Sequence, residues 1–237
     1  MVIVMRIFFK GFNFSQDGPG NRLVFHLQGC NMKCPWCSNP EGMNFEGGTE
    51  LSVDEVVWEA VRSRSVFFSG GGVTFTGGES TMQSTELIEV LKGLNNFGIH
   101  TAIETNGSSP HLREIQKHVD YLIMDFKHYD DKCFLEFTGI RIDEVKRNFE
   151  YLTGIGRQLH IRIPLINHFN ADSAQGFAEY FSKFDTKNVV FEFLPYHEYG
   201  RDKWKSEYTI SDGFVTDEQI NKFRKIFDKY SLRVIET

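Results

Sequence analysis

Val73 to Gly107 reads VTFTGGESTMQSTELIEVLKGLNNFGIHTAIETNG, and its periodicity changes twice. Val73–Thr76 is a short run of β-branched and aromatic residues closed by two glycines, the pattern of a strand. Over Ser84–Phe97 the apolar residues Leu87, Val90, Leu91 and Leu94 recur at helical spacing, with Ser84 ahead of them as a capping residue and Gly98 behind as a stop. Thr101–Thr105 is strand-like again. Strand, helix and strand in this order predict a βαβ unit, in which the crossover is right-handed and the strands are parallel.

The same alternation runs outward in both directions. Arg22–Gln28, Tyr121–Phe126, Leu159–Leu165 and Val189–Leu194 read as strands, and Val53–Arg64, His111–His118, Asp143–Thr153, Ser173–Phe184 and Thr216–Tyr230 read as helices. Thr216 and Gln219 have the spacing of a capping box at the start of the last helix. The apolar Val2–Met5, interrupted by Arg6, is a first strand and too short for a signal peptide or a membrane span. Six strand–helix units make an α/β fold, a partial (β/α)6 TIM-like barrel or, alternatively, a doubly wound open sheet; eight units would close a barrel. The 237 residues suffice for a single domain, 1–237, because no linker obliges a second. Within it we place a cluster loop at 29–38, the partial barrel at about 20–200 and a C-terminal helix and strand at 214–236.

A net charge of −6 without any local Lys/Arg run disfavours nucleic acid as a partner. Composition is that of a globular protein, and a cytoplasmic, soluble location with no membrane partner is expected. Three of the four cysteines crowd into Gly29-Cys30-Asn31-Met32-Lys33-Cys34-Pro35-Trp36-Cys37, a C-x3-C-x2-C spacing. Disulfide scaffolds spread their cysteines, since each bridge must close a loop, whereas a tight group points to metal. Three thiolates can hold three corners of a 4Fe–4S cube and leave one iron open for chemistry. Zinc would need a fourth ligand from His26 or Cys133, neither at a customary spacing. Cys133 reads as a small core residue.

Several polar segments fall at or near the carboxyl ends of the expected strands, where α/β folds bind ligands. They are Gly77-Gly78-Glu79, Glu104-Thr105-Asn106-Gly107, Asp125-Phe126-Lys127, Arg162 and Pro195-Tyr196-His197. Gly77 and Gly78 would let backbone approach a ligand, and Glu79 can accept from an ammonium group. Lys127 suits a carboxylate, and His197 can hydrogen-bond a carboxylate or ribose. Arg162 fits either a ligand anchor or a structural salt bridge. Trp36 fits either an adenine contact or a shield over the cluster. Asp17-Gly18-Pro19-Gly20 reads as a flexible turn.

The cysteine motif with an aromatic residue before its last cysteine resembles the radical S-adenosylmethionine (SAM) superfamily. The ordered segments, together with Asp17–Gly20, Arg22 and Leu194-Pro195-Tyr196-His197-Glu198-Tyr199-Gly200, are similar to glycyl radical enzyme activating enzymes, pyruvate formate-lyase activators especially. The resemblance runs from about residue 5 to the C-terminus. It implies a cluster on Cys30, Cys34 and Cys37 whose open iron is chelated by SAM, and reductive cleavage to methionine and a 5′-deoxyadenosyl radical. It implies SAM binding by Trp36, Gly77, Gly78, Glu79, Thr105, Asn106, Asp125, Lys127, Arg162 and His197, and a monovalent cation, sodium or potassium, at Glu104, Thr105 and Asp125. The family usually has Asp where Glu104 stands. It implies that Asp17–Gly20 grips a glycine-bearing loop of a partner glycyl radical enzyme, that flavodoxin or ferredoxin supplies the electron, and that a monomer acts with no acid or base side chain. Ser38-Asn39-Pro40 after the last cysteine departs from the His-Asn of formate-lyase activators toward dehydratase and other lyase activators, yet their ferredoxin-like cysteine insert is missing between Cys37 and Gly70. A small-molecule radical SAM enzyme, similar to 7-carboxy-7-deazaguanine synthase, is the rival expectation.

Overall fold

The computed structural model describes residues 3–14 and 16–236. Val2, part of the expected first strand, lies outside the described residues. That strand, β1, spans Val4–Asn13, far longer than expected. Met5 and Ile7 are buried and alternate with exposed Val4 and Arg6, and a register shift between Ile7 and Phe9 breaks the alternation that would have announced its length. β1 pairs antiparallel with β2 (Arg22–Leu27) and with β3 (Thr49–Ser52). The strands β4 (Gly72–Gly77), β5 (His100–Thr105), β6 (Tyr121–Asp125), β7 (Leu159–Leu165) and β8 (Val189–Pro195) follow. The hydrogen-bonded order is β3-β1-β2-β4-β5-β6-β7-β8, with β2 parallel to β4, β4 parallel to β5 and β7 parallel to β8.

The helices are α1 (Val53–Arg62), α2 (Ser84–Asn96), α3 (Leu112–Ile115), α4 (Asp131–Thr138), α5 (Asp143–Gly154), α6 (Ala174–Phe181) and α7 (Asp217–Lys229). Two helix expectations need correction. Ser84 lies inside α2 rather than capping it; a 3-10 turn, Ser80–Gln83, precedes the helix and is capped by Glu79, whose carboxylate accepts from the Thr81 N–H. α3 is a single turn, not eight residues. The Thr216–Gln219 capping box forms as expected. The C-terminal strand shrinks to one parallel bridge, Val234 to Phe191.

The chain divides into two compact units. One comprises Met1–Asn31, Glu41–Thr105 and Ser109–Ile123. In it the α2 stripe Leu87, Val90, Leu91 and Leu94 is completely buried, as are Val73, Phe75 and Ile103 of the strands. The other comprises Met32–Pro40, Asn106–Ser108 and Met124–Thr237. Its core is aromatic: Phe126, Phe149, Phe177, Phe181, Phe191, Phe223 and Phe227 are fully buried. Phe181 meets Phe191 at 4.8 Å, and Phe193 meets Phe227 nearly perpendicular at 4.9 Å. Burying each such ring is worth ~1.5–3 kcal/mol before the entropy of ordering it. No helix among the described residues is long and apolar enough to cross a membrane.

Candidate functional site

In the first unit the turn after β4 is built by close backbone packing. A Cβ on Gly77 would lie 2.3 Å from the Leu27 nitrogen, and one on Gly78 would lie 2.3 Å from the Gly29 oxygen and 2.4 Å from the Gly42 oxygen. At both positions the missing side chain admits neighbouring backbone. The Gly78 N–H donates to Leu27 O at 2.9 Å and the Glu79 N–H to Gly29 O at 2.7 Å. The residue before Cys30 is thereby tied to this turn. Cys30 itself donates its N–H to Met43 O at 3.1 Å.

Glu79 is 2% exposed. Its Oε1 accepts from the Thr105 hydroxyl at 2.6 Å, from the Thr81 N–H at 3.1 Å and from the Thr81 hydroxyl. A buried carboxylate is held in place by such donors and remains an acceptor for a cation. Glu104, one residue before Thr105, accepts from the Thr76 hydroxyl at 2.8 Å.

The Asp17–Gly20 turn is held more firmly than its composition suggests. Arg22 is fully buried, donating to Pro19 O at 2.9 Å, Val73 O at 2.6 Å and the Thr74 hydroxyl at 2.5 Å, while that hydroxyl donates to Asp17 O at 2.7 Å. Burial pulls the guanidinium down to about 10, against the charges of Asp17, Asp120 and Glu104. Gly18 and Gly20 occupy positive φ, +114° and +68°, which the turn requires.

In the second unit Cys34 and Cys37 are joined by a tight turn, Cys37 N–H to Cys34 O at 3.1 Å. Burial pushes the Cys34 thiol up to about 12, although the Lys127 charge acts the other way. All four cysteines are unbridged. Among the described residues no three His, Cys, Asp or Glu side chains gather around a single ion position. A cube-shaped cluster bonds its thiolates at separate corners, so three unbridged cysteines on one short loop suit it as a donor set. Cys133, on α4, packs with Ile166, Phe169 and Tyr196, in keeping with a core residue. Trp36 packs in the same group, its ring 4.6 Å from Phe169 and 6.0 Å from Phe137.

Asp125 and Lys127 form an ion pair at 2.8 Å at the end of β6, with Lys127 buried. Asn106 caps its own turn, its Oδ1 accepting from the Ser108 N–H at 3.0 Å and hydroxyl at 2.6 Å. Arg162 is engaged within the fold: its Nε lies 2.8 Å from Glu192 Oε2, which His160 Nε2 also approaches at 2.8 Å. Glu192 and His160 escaped the sequence reading; a lone acid within Val189–Pro195 was the available signal, and its register with Arg162 is visible only in the structure. His197 is exposed and stacked on Tyr199 at 4.3 Å.

The model of the Radical SAM superfamily matches residues 24–181. The chain is 34% identical over 232 residues to the pyruvate formate-lyase-activating enzyme of Clostridium pasteurianum, covering 93% of this chain and 94% of that one. The corresponding enzyme of Staphylococcus epidermidis is 33% identical over 202 residues, 80% of each chain. Among solved structures, a domain of pyruvate-formate lyase-activating enzyme from Bacteroides vulgatus superposes with a TM-score of 0.60 at 27% identity, covering 70% of this chain and 98% of that one. Streptococcus suis SuiB bound to its precursor peptide SuiA shares the fold alone, with a TM-score of 0.69 at 16% identity over 89% of this chain and 47% of that one. The architecture is the partial β/α barrel of radical SAM proteins, and the doubly wound alternative is set aside. The chain belongs to the Radical SAM superfamily and, within it, to the family of pyruvate formate-lyase-activating enzymes.

Proposed function

We propose that this enzyme is an activase that places a radical on a glycine of a partner glycyl radical enzyme, the whole chain acting as one radical SAM domain. The observation that carries the reading is identity of 34% extending over 93% of the chain with an enzyme named for activating pyruvate formate-lyase. Membership of the superfamily brings a 4Fe–4S cluster and SAM, and these supply, after one-electron reduction, a 5′-deoxyadenosyl radical able to take a Cα hydrogen atom. Cys30, Cys34 and Cys37 are proposed as the cluster ligands.

The protein's own residues bind and orient. Glu79, already fixed by Thr81 and Thr105, presents a buried acceptor for the methionyl ammonium, with Gly77 and Gly78 shaping its turn. Lys127 offers a charge to the methionyl carboxylate, aligned by Asp125. Asn106, Arg162, His197 and Trp36 complete the proposed SAM contacts. Glu104, Thr105 and Asp125 are the proposed holders of a sodium or potassium ion. Asp17–Gly20, staked by Arg22, is proposed to receive the partner's glycine loop, with flavodoxin or ferredoxin as electron donor, the enzyme as a monomer and the cytoplasm as its location.

Anaerobic reconstitution tests the reading. Four irons per chain, absorbance near ~400 nm and reductive SAM cleavage to 5′-deoxyadenosine are expected. Cleavage that needs a small-molecule substrate, and leaves no radical on any protein, would favour the deazaguanine-synthase-like alternative.

A further inference from the structure

The segment after β8, Gly200–Trp204, is fastened to the end of the cysteine loop by contacts that SAM binding leaves unexplained. Trp204 Nε1 donates to the Cys37 carbonyl oxygen at 3.1 Å. Lys203 Nζ donates to the Ser38 carbonyl oxygen at 3.1 Å and to Asn39 Oδ1 at 3.3 Å. Gly200 approaches so closely that a Cβ would lie 2.4 Å from Ser38 Cα and 2.8 Å from the Cys37 oxygen. The indole is braced edge-on by Tyr208 at 5.8 Å, and the Tyr208 hydroxyl bonds that of buried Tyr196 at 2.7 Å.

What these contacts orient is a hydrogen bond to sulfur: the Asn39 N–H donates to Cys37 Sγ at 3.4 Å. The Ser38 carbonyl and the Asn39 N–H belong to one planar trans peptide and therefore point in opposite directions. Lys203, holding the carbonyl, aims the N–H at the sulfur. Trp204 fixes the preceding peptide, so the plane cannot rotate alone.

We propose that Gly200–Trp204 is a clamp that aims the Asn39 N–H at the Cys37 sulfur and thereby raises the reduction potential of the cluster. Trp204 and Lys203 are positioning residues. The proposal rests on Cys37 being a cluster ligand, the reading given above. Hydrogen bonds to cluster sulfurs are among the levers that set such potentials, because they stabilise the more negative reduced state.

Two measurements on Trp204→Phe, Lys203→Met and Lys203→Arg decide it. In the metal-free chain, hydrogen exchange at the Asn39 amide is expected to quicken about tenfold in Trp204→Phe and Lys203→Met, with thermal unfolding unchanged and Lys203→Arg like wild type. In the reconstituted protein, redox titration of Trp204→Phe, which changes no charge, is expected to show the reduction equilibrium shifted about tenfold toward the oxidised cluster, ~59 mV for one electron. Unchanged Asn39 exchange in both variants overturns the clamp. Faster exchange with an unchanged potential overturns its redox role. A wild-type chain that takes up no iron overturns the cluster reading itself and the redox role with it, while exchange still decides the clamp.

Discussion

His128 follows Lys127 directly and gives the protein a built-in sensitivity to acid. Its ring is 2% exposed, stacked on Tyr129 at 4.9 Å and packed near Phe169 and Phe177. Nδ1 accepts from the Asp130 N–H at 2.8 Å, so a proton added there would set donor against donor. Burial, outweighing the Asp130 charge and the Phe169 carbonyl, lowers its pKa from 6.5 to about 4. A folded pKa below the unfolded one means stability that is complete above 6.5 and lost as pH falls toward 4. That shift corresponds to about 3 kcal/mol lost by pH 4. His128→Asn keeps an acceptor near the Nδ1 position without a titrating ring. Urea unfolding of the metal-free wild type and variant at pH 7 and pH 4 isolates the contribution of the ring, since acid losses at other groups cancel in the difference. The wild type is expected to lose roughly 3 kcal/mol more than the variant; equal losses would refute the buried, neutral ring.

Cys30→Ala, Cys34→Ala and Cys37→Ala are each expected to abolish iron retention and SAM cleavage, and Cys133→Ala to leave both intact; loss of the cluster in Cys133→Ala alone, by iron count, would break the assignment. Gly78→Ala forces a methyl against two carbonyl oxygens at 2.3 and 2.4 Å, so chemical denaturation should show a loss of roughly 3 kcal/mol or more. Arg22→Met removes the donors to Pro19 and Val73 from a fully buried position and is expected to cost roughly 3–5 kcal/mol and to raise proteolysis at Asp17–Gly20. A variant of wild-type stability with an equally protected turn would show that Arg22 does not hold it.

The alternating core was legible because each parallel strand carries a dense apolar run. β3 was not, since Thr49-Glu50-Leu51-Ser52 has a single apolar residue and exists by pairing with β1. α4 escaped because its signals are terminal, Asp130 capping at one end and Gly139 in the left-handed region at the other, around only eight residues. Candidate site residues were visible as polar breaks at strand ends, but their partners were not. Glu192 gains meaning only from its register with Arg162, and Lys203 meets Ser38 across 165 residues of chain. Local pattern carries no record of such pairings. The atoms that crowd Gly77 and Gly78 are backbone atoms distant in sequence, and local pattern does not record that packing either.

Transfer of a radical to another protein is the central claim, and electron paramagnetic resonance tests it most directly. The reconstituted enzyme is incubated anaerobically with SAM, a low-potential reductant and a formate-lyase or related lyase encoded beside it. A doublet glycyl signal on the lyase, lost when its radical-site glycine is replaced by alanine, is the expected result. Stoichiometric 5′-deoxyadenosine with no protein radical on any such lyase would contradict the account.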